Sequence, residues 1–535
     1  MSSSEINKPI ITSKQPWVLP VALLGVGLLS LCLRLPALTE SLWVDELHTA
    51  WSIGGSWSEI SKRAMQGNNH PLFFYITRCC TTVLGYNEFG LRFPALLAGT
   101  LLASIVTWIV TRWTKNLWAG VLAGVLIAID RDQIFFATEA RSYAAAQLIG
   151  VLQIYFLVEL ILHRTISKMI TCVLLTSLMI YLHYTTGLIL VAECLAVVVC
   201  CCMTKKFQSL YDATLMMGCS LVLCLPVMSH LLEVHARKEN WASFVKVNSV
   251  TEIFTILPMW LLLLVPAVLW CIDHLYRRLV AADKEERSTS GSDLSMRFLF
   301  VSAAVMLPVI LAWVLTYQGW LHLFMNRYLI VSLGGLFLLA GLIFGMIRKG
   351  VLVTSMFVCL GLPFVLSTIS GSLYDHRLPH DLYRMRYEDW RSTVQLLNRE
   401  EPYQSGPILL KSGLIESDGL RQSSEPSLVN YSLLPLTSAY PLNFDAHLIP
   451  LAYRNAGKLE PWQLQKLGNS KRFTIVVRGR VHPVTGADPC NLVIQQLENS
   501  INQSRHKEMA AIHLKILLEE NYPGVRVRLL ERVED

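Results

Sequence analysis

Apolar runs of about twenty residues, the length that crosses a bilayer as a helix, recur through the first 370 residues of this chain. In lipid every backbone N–H and C=O must be satisfied within the spanning element, so such runs fold as helices. Composition agrees. Hydrophobic residues make up 53% of the chain and charged residues 16%, against about 25% charged in a soluble domain. Mean hydropathy is +0.44. After residue 370 the sequence turns polar. The expected fold class is a polytopic α-helical membrane protein with a C-terminal soluble α/β domain. The expected boundaries are a cytoplasmic N-terminus at 1–16, a transmembrane domain at 17–370 and an extracytoplasmic domain at 371–535. The transmembrane domain includes a long first outer loop, 36–90, with interfacial helices.

Loop charge sets the orientation. Basic residues favour the cytoplasmic side, which places Lys8 and Lys14, Thr111–Lys115, His163–Lys168, Lys205-Lys206 and Arg277 to Arg297 inside. Spans at 17–35, 91–111, 116–130, 141–162, 168–183, 185–203, 209–232, 252–276, 297–317, 328–347 and 351–370 satisfy these markers. They give about eleven helices and leave the C-terminal domain outside. The apolar stretch ending at Leu84 is short for a crossing and reads as an interfacial helix, 72–85. The first span reads as a retained signal-anchor.

In the tail, a helical run ends at Leu397 and Pro407–Lys411 looks like a strand. Phe473–Arg478 alternates as a strand does. Helical spacing marks Asn491–Glu498 and Lys507–Glu520, and Val525–Leu530 reads as a last strand. Alternating elements of this kind make an α/β layer. No Gly-rich phosphate loop precedes its helices. Of thirteen cysteines, only Cys490 lies in the tail, so no disulfide forms within it. The other cysteines read as small apolar fillers, and no CxxC pair marks a zinc site. The net charge of +7 sits in short loops and gives no sign of nucleic-acid binding.

This topology gathers ionisable residues on one face. Asp45 and Glu46 follow the first span, and a charged pair at the outlet of a membrane helix has to be solvated, paired or used. Asp45 can act as a general base on an attacking hydroxyl or amine; taken alone, an Asp-Glu pair reads first as a helix cap. The second outer loop adds Asp130, Asp132 and Glu139, which can split acid and base roles or, with Asp45, hold a divalent cation. Arg141 and Arg327 suit a phosphate or a snorkelling helix end. His70 and His183 fit ligand or proton-carrier roles as well as interfacial hydrogen bonding. Tyr143, Tyr184 and Tyr328 suit a sugar pocket or an aromatic belt. Glu388, Asp389 and Trp390 read as a simple helix start.

An ordered set of motifs carries a resemblance. Trp43-Val-Asp45-Glu46-Leu-His-Thr49, Asn69-His70-Pro71, Gly90-Leu-Arg92-Phe-Pro94, Glu139-Ala-Arg141-Ser-Tyr143, His183-Tyr184 and Arg327-Tyr328 together resemble the dolichyl-phosphate-mannose–protein mannosyltransferase-like family. These are integral-membrane glycosyltransferases of the GT-C fold, related to protein O-mannosyltransferases and the lipid A aminoarabinose transferase. The resemblance covers about residues 17–350. It implies a polyprenyl-phosphate-linked sugar donor drawn from the membrane lipid, inversion at the sugar carbon, and Asp45 as base. It further implies a second acidic residue at Glu139 or Asp132, and donor-phosphate binding by Arg141 and Arg327. Many relatives carry Pro-Pro where this chain has His70-Pro71-Leu72. No metal is carried over, and cofactors stay open. The setting expected is a bacterial inner membrane with the active site outside.

Two other functions fit a polytopic chain: a lipid or solute transporter or flippase, and a membrane-anchored assembly protein. Transporters bind at the midplane with broken helices and intramembrane charge. Here the midplanes read as apolar and the charge gathers at one face, which favours the enzyme.

Overall fold

The computed structural model describes residues 16–204, 207–242, 245–257, 259–280, 291–347, 388–455, 459–468, 470–480, 486–503 and 511–534. The expected span 351–370 lies outside them. The chain packs as two compact units. One is built from the residues up to Pro36 and from Pro94 onward through the helical region. The other joins Ala37–Phe93 to the C-terminal residues. Residues 37–93, which sequence grouped with the membrane domain, thus share a core with the tail.

The first unit is helical. Among the described residues, helices long and apolar enough to cross a membrane cover Val18–Thr39, Glu88–Thr114, Tyr143–Leu162, Tyr184–Cys202, Gln208–Ala236, Asp293–Tyr317 and Asn326–Gly345. Shorter apolar helices cover Leu117–Ile129, Ile166–Leu182 and Leu262–Leu275, and a fourth, Leu72–Leu84, belongs to the second unit. Ten of the expected spans meet an apolar helix, seven of full length and three short; Leu72–Leu84 is the stretch expected at the interface. The stretch 252–276 departs most: it holds a short helix Glu252–Thr255 and a π-turn at Trp260–Leu264 before the helix Val265–Val280.

The apolar helix Ile330–Gly345 is buried almost throughout, as a helix hydrophobic on all sides must be. Lipid tails are as apolar as leucine, so small residues that allow close approach drive packing here. Gly334 leaves room for Val151 and Gln147, and Gly341 for Val110 and Ala123. Gly124 lets the helix Leu117–Ile129 lie against Thr107 and Ala103. Elsewhere large apolar side chains such as Leu24, Leu221 and Val222 stand exposed, a surface suited to lipid.

Several buried polar groups in the bundle find partners. The buried Arg34 donates from Nη1 to the carbonyls of Ser30 at 2.8 Å and Ala128 at 3.2 Å, and from Nη2 to Ile127 at 3.4 Å. A cation thereby meets the carbonyl end of the helix Leu117–Ile129, where the helix dipole favours it. The bundle is less apolar than the sequence suggested. Gln153 Nε2 donates to Glu193 Oε2 at 2.8 Å and to Thr176 Oγ1 at 3.4 Å, all three residues being buried.

In the second unit five strands form one sheet: β1 Ile408–Lys411, β2 Leu448–Pro450, β3 Arg472–Arg478, β4 Ile512–Tyr522 and β5 Val525–Glu534. The order is β2-β1-β3-β5-β4. β1 runs parallel to β2 and β3; β5 runs antiparallel to β3 and β4. The helix Pro489–Gln503 buries Val493 and Leu497 in the core with Leu409, Phe473 and Ile475. The helix expected at Lys507–Glu520 is corrected: its described part is strand β4. Ile512 and Leu514 alternate with exposed residues, and pairing with β5 along the hairpin overrides a spacing that also fits a helix.

Valine at Gly124 would drive its Cβ into Thr107, an overpacking worth about 1–3 kcal/mol. Gly124→Val is expected to melt at lower temperature in detergent than wild type. Gly218→Ala, with nothing within 4 Å of the added carbon, should hold or raise the melting temperature.

Candidate functional site

Two clusters hold the residues singled out by sequence. The first lies in the second unit, at the start of the helix Val44–Ile53. Asp45 and Glu46 occupy its first turn, where the dipole favours negative charge. Their fates differ. Glu46 is fully buried and both its oxygens belong to Arg92: Arg92 Nε donates to Oε1 at 2.7 Å and Nη2 to Oε2 at 2.7 Å. Glu46 Oε2 also accepts the Trp43 backbone N–H at 3.4 Å. The remaining Arg92 donors reach the carbonyls of Ala37, Leu38, Glu40 and Ser41. A buried guanidinium with every donor engaged is a structural pin. Asp45, one residue earlier, stays half-buried.

The helix start is closed by the C-terminal residues. Glu388 Oε2 accepts the backbone N–H of Val44 at 3.0 Å and the indole N–H of Trp390 at 2.8 Å. Its Oε1 accepts from Arg478 at 2.8 Å. Arg478 sits at the carboxyl end of β3 and also donates to the Gly413 carbonyl at 3.2 Å. Burial works against the Arg478 charge, while Glu388 and Asp45 favour it and leave its pKa raised; Asp45 is therefore an electrostatic neighbour of Arg478. Around this core, Tyr440 accepts the Leu42 N–H at 2.9 Å and donates to Glu88 at 2.8 Å. Arg391 pairs with Glu88 at 2.6 Å. Asn68 donates to Glu416 at 2.8 Å.

His70 lies in this unit too. Its Nδ1 accepts the Leu72 N–H at 3.3 Å, at the start of the helix Leu72–Leu84. Of the expected helix start at 388–390, Asp389 caps the helix Trp390–Arg399, accepting from the Ser392 N–H at 3.0 Å. Glu388 does more than sequence assigned to it.

The second cluster lies in the first unit, at the loop ends of the bundle. The His183 ring stands 5.2 Å from Tyr143 and 5.9 Å from Tyr328 between centroids. Arg327 lies 5.5 Å over the Tyr328 ring. Arg327 and Arg141 both act electrostatically on His183. His183 Nδ1 is 2.7 Å from Thr185 Oγ1, and that hydroxyl donates to the Tyr328 carbonyl at 3.0 Å. A hydroxyl has one proton to give, so Nδ1 of His183 is the donor and Nε2 the acceptor in the neutral ring. Asn326, next to Arg327, donates to Asp132 at 3.1 Å. Glu139 is buried and its carbonyl accepts the Arg141 N–H at 2.7 Å. Arg141, Tyr143, His183, Arg327 and Tyr328 therefore come together. Tyr184 lies instead within electrostatic reach of Glu233 and Arg237. Two arginines, an imidazole and two phenols thus gather at one place, a set of groups whose chemistry suits an oxyanion beside aromatic rings.

Among the described residues no three His, Cys, Asp or Glu side chains converge as a metal site. Sequence missed the roles of Arg92, Asn326, Glu388 and Arg478. Arg92 had a signal, a charge inside an apolar helix start. Arg478 had a weaker one, a charge at a strand end where α/β layers place their functional groups.

Comparison with known proteins adds two findings. Residues 68–230 match the family described as dolichyl-phosphate-mannose-protein mannosyltransferase. The chain has the fold of ArnT from Cupriavidus metallidurans. Against the structure bound to undecaprenyl phosphate, the TM-score is 0.51 at 13% identity, covering 97% of this chain and 98% of that one. Against the apo structure the TM-score is again 0.51 at 13% identity, covering 96% and 98%. No curated protein sequence matches the chain.

Removing one partner of a buried ion pair costs about 3–5 kcal/mol. Glu46→Gln and Arg92→Met should each lose stability on that scale, and the double variant should lose less than the sum, read from unfolding of the purified protein. Burial raises the half-buried Asp132 carboxyl above its ordinary range, against the hydrogen bond from Asn326 and the charge of Arg131. Such a group contributes its full stability below the ordinary value of about 3.9 and loses it as pH rises through the higher native value. The wild-type melting temperature should therefore fall through that window relative to Asp132→Asn, and parallel curves would remove the assignment.

Proposed function

We propose, for a chain of GT-C fold whose residues 68–230 match the dolichyl-phosphate-mannose–protein mannosyltransferase family, that it is an integral-membrane glycosyltransferase. It moves a sugar from a polyprenyl-phosphate donor to an acceptor on the extracytoplasmic side of a bacterial inner membrane. The observation that carries this reading is the division of labour within the Asp-Glu pair. Glu46 is spent on Arg92, while Asp45 is held on the same helical turn with its side chain still partly accessible. A carboxylate that is fixed and reachable is what a general base requires.

The chemistry follows from the groups present. An acceptor hydroxyl or amine attacks the sugar carbon, and its proton passes to the Asp45 carboxylate. The bond from that carbon to the phosphate oxygen breaks, and attack from the opposite face inverts the centre. The leaving polyprenyl phosphate carries the negative charge away. Arg141 and Arg327 stabilise that charge, which a leaving phosphate needs more than it needs a proton. His183, neutral with Nδ1 tied to Thr185, presents an acceptor to a sugar hydroxyl. Tyr143 and Tyr328 supply the faces against which a sugar packs. Glu46 and His70 hold backbone in place. The bound lipid of the ArnT structure supports the donor class.

The test is transfer of label from radiolabelled polyprenyl-phosphate sugars to a membrane extract, with purified wild type beside Asp45→Asn. A general base contributes typically 10²–10⁴-fold, and a loss in that range is expected for Asp45→Asn. Wild-type rates in the variant would take the base role away from Asp45. Arg141→Gln and Arg327→Gln are each expected to slow transfer and to weaken retention of undecaprenyl phosphate.

A further inference from the structure

The C-terminal residues do more in this structure than lie beside the helix that carries Asp45. Three facts converge at its first turn. The first free backbone N–H of that helix, on Val44, goes to Glu388 Oε2 at 3.0 Å. The other oxygen of Glu388 is held by Arg478 at 2.8 Å, and Arg478 is itself anchored on the Gly413 carbonyl at the end of β1. Asp45, the next residue along, lies within electrostatic reach of Arg478. Helix ends leave their first N–H groups without intrahelical partners, so a carboxylate delivered from elsewhere both closes this end and fixes where the next side chain points. That next side chain is Asp45.

We propose that Glu388 and Arg478 are positioning residues for Asp45, Glu388 by holding the start of its helix and Arg478 by keeping its carboxylate charged. The inference rests on the reading of Asp45 as the base for its consequence in transfer. It makes the C-terminal α/β domain part of the working site. The Glu388–Arg478 pair supplies one anion and one cation, so the two residues act on Asp45 with opposite sign. Arg478 stabilises the carboxylate; Glu388 opposes it and draws on the same cation. Several other groups around this helix have interactions of their own. Glu46 is paired with Arg92. Arg63 and Arg78, from the two helices packed on it, bind the carbonyls of Trp51 and Ile53 at its far end. His48 is enclosed by Trp51, Phe74 and Tyr431. Tyr453 acts on Arg478.

A hydrophobic carbodiimide reacts with protonated carboxyls, so its pH-dependent labelling of Asp45, mapped by peptide mass spectrometry, reads the proton directly and needs no substrate. The full-length protein in detergent is compared with Arg478→Gln, Arg478→Lys and Glu388→Gln. An opposite charge within a few ångströms is worth about one pH unit or more. The Arg478→Gln midpoint is therefore expected at higher pH by about that much, and Arg478→Lys near wild type. The Glu388→Gln midpoint is expected at lower pH, since its amide oxygen still accepts the Val44 N–H while the competing anion is gone. The acid limb of the transfer-rate profile should move with the labelling midpoints. A merely structural pair would shift both variants the same way or not at all. Unchanged midpoints in variants that melt cooperatively, or shifts of one sign in both, overturn the proposal. Should Arg478→Gln not fold, the Lys variant and Glu388→Gln decide it by the same criterion. Wild-type transfer by Asp45→Asn would refute the base reading while leaving the labelling result to judge the positioning.

Discussion

The second unit depends on one buried guanidinium. Arg92 has no access to water, and a charge in that position is tolerable only if it is paired and hydrogen-bonded throughout. Its partners are the two oxygens of Glu46 and a ring of carbonyls from residues 37 to 41. Satisfying one side chain thus folds the segment after the first span into a tight bend and sets the helix Val44–Ile53 upon it. Asp45 takes its place because its neighbour is pinned.

The same bend recruits the tail. Backbone groups left over at Leu42 and Val44 are taken up by Tyr440 and Glu388, and Arg391 reaches the carbonyl of Thr39 at 2.8 Å. Each of these contacts satisfies a polar group that would be costly to leave unmade once covered. The segment 37–44 thereby gains a fixed shape from residues more than three hundred positions away in sequence.

The first unit is ordered by a different force. Its helices have no hydrophobic drive to associate in lipid, so seams of glycine and β-branched residues let backbones meet. Where the helices end, the loops bring the His183, Tyr143 and Tyr328 rings together, with Arg327 over the Tyr328 ring and Arg141 within electrostatic reach of His183. The hydrogen bond from His183 to Thr185 fixes which ring nitrogen faces outward chemistry. The polar pair Gln153–Glu193 shows that helix interiors can hide a hydrogen-bonded carboxyl group that hydropathy averages over.

Much was legible in the sequence for a plain reason. Apolar runs of spanning length admit one kind of structure, and the alternation in Phe473–Arg478 and the polar turn after 370 announced a sheet-bearing domain. The motifs around Asp45, Arg141, His183 and Arg327 could be found because each is local. The strand Ile512–Tyr522 was not legible, since its apolar spacing fits a helix equally and only pairing with Val525–Glu534 decides between them. The grouping of residues 37–93 with the tail, the commitment of Glu46 to Arg92, and the arrival of Glu388 and Arg478 at Val44 and Asp45 all required the tertiary structure. Sequence periodicity reports which face of an element is apolar. Which distant carboxylate ends beside which arginine is set by the packing of whole elements, and no local pattern encodes it.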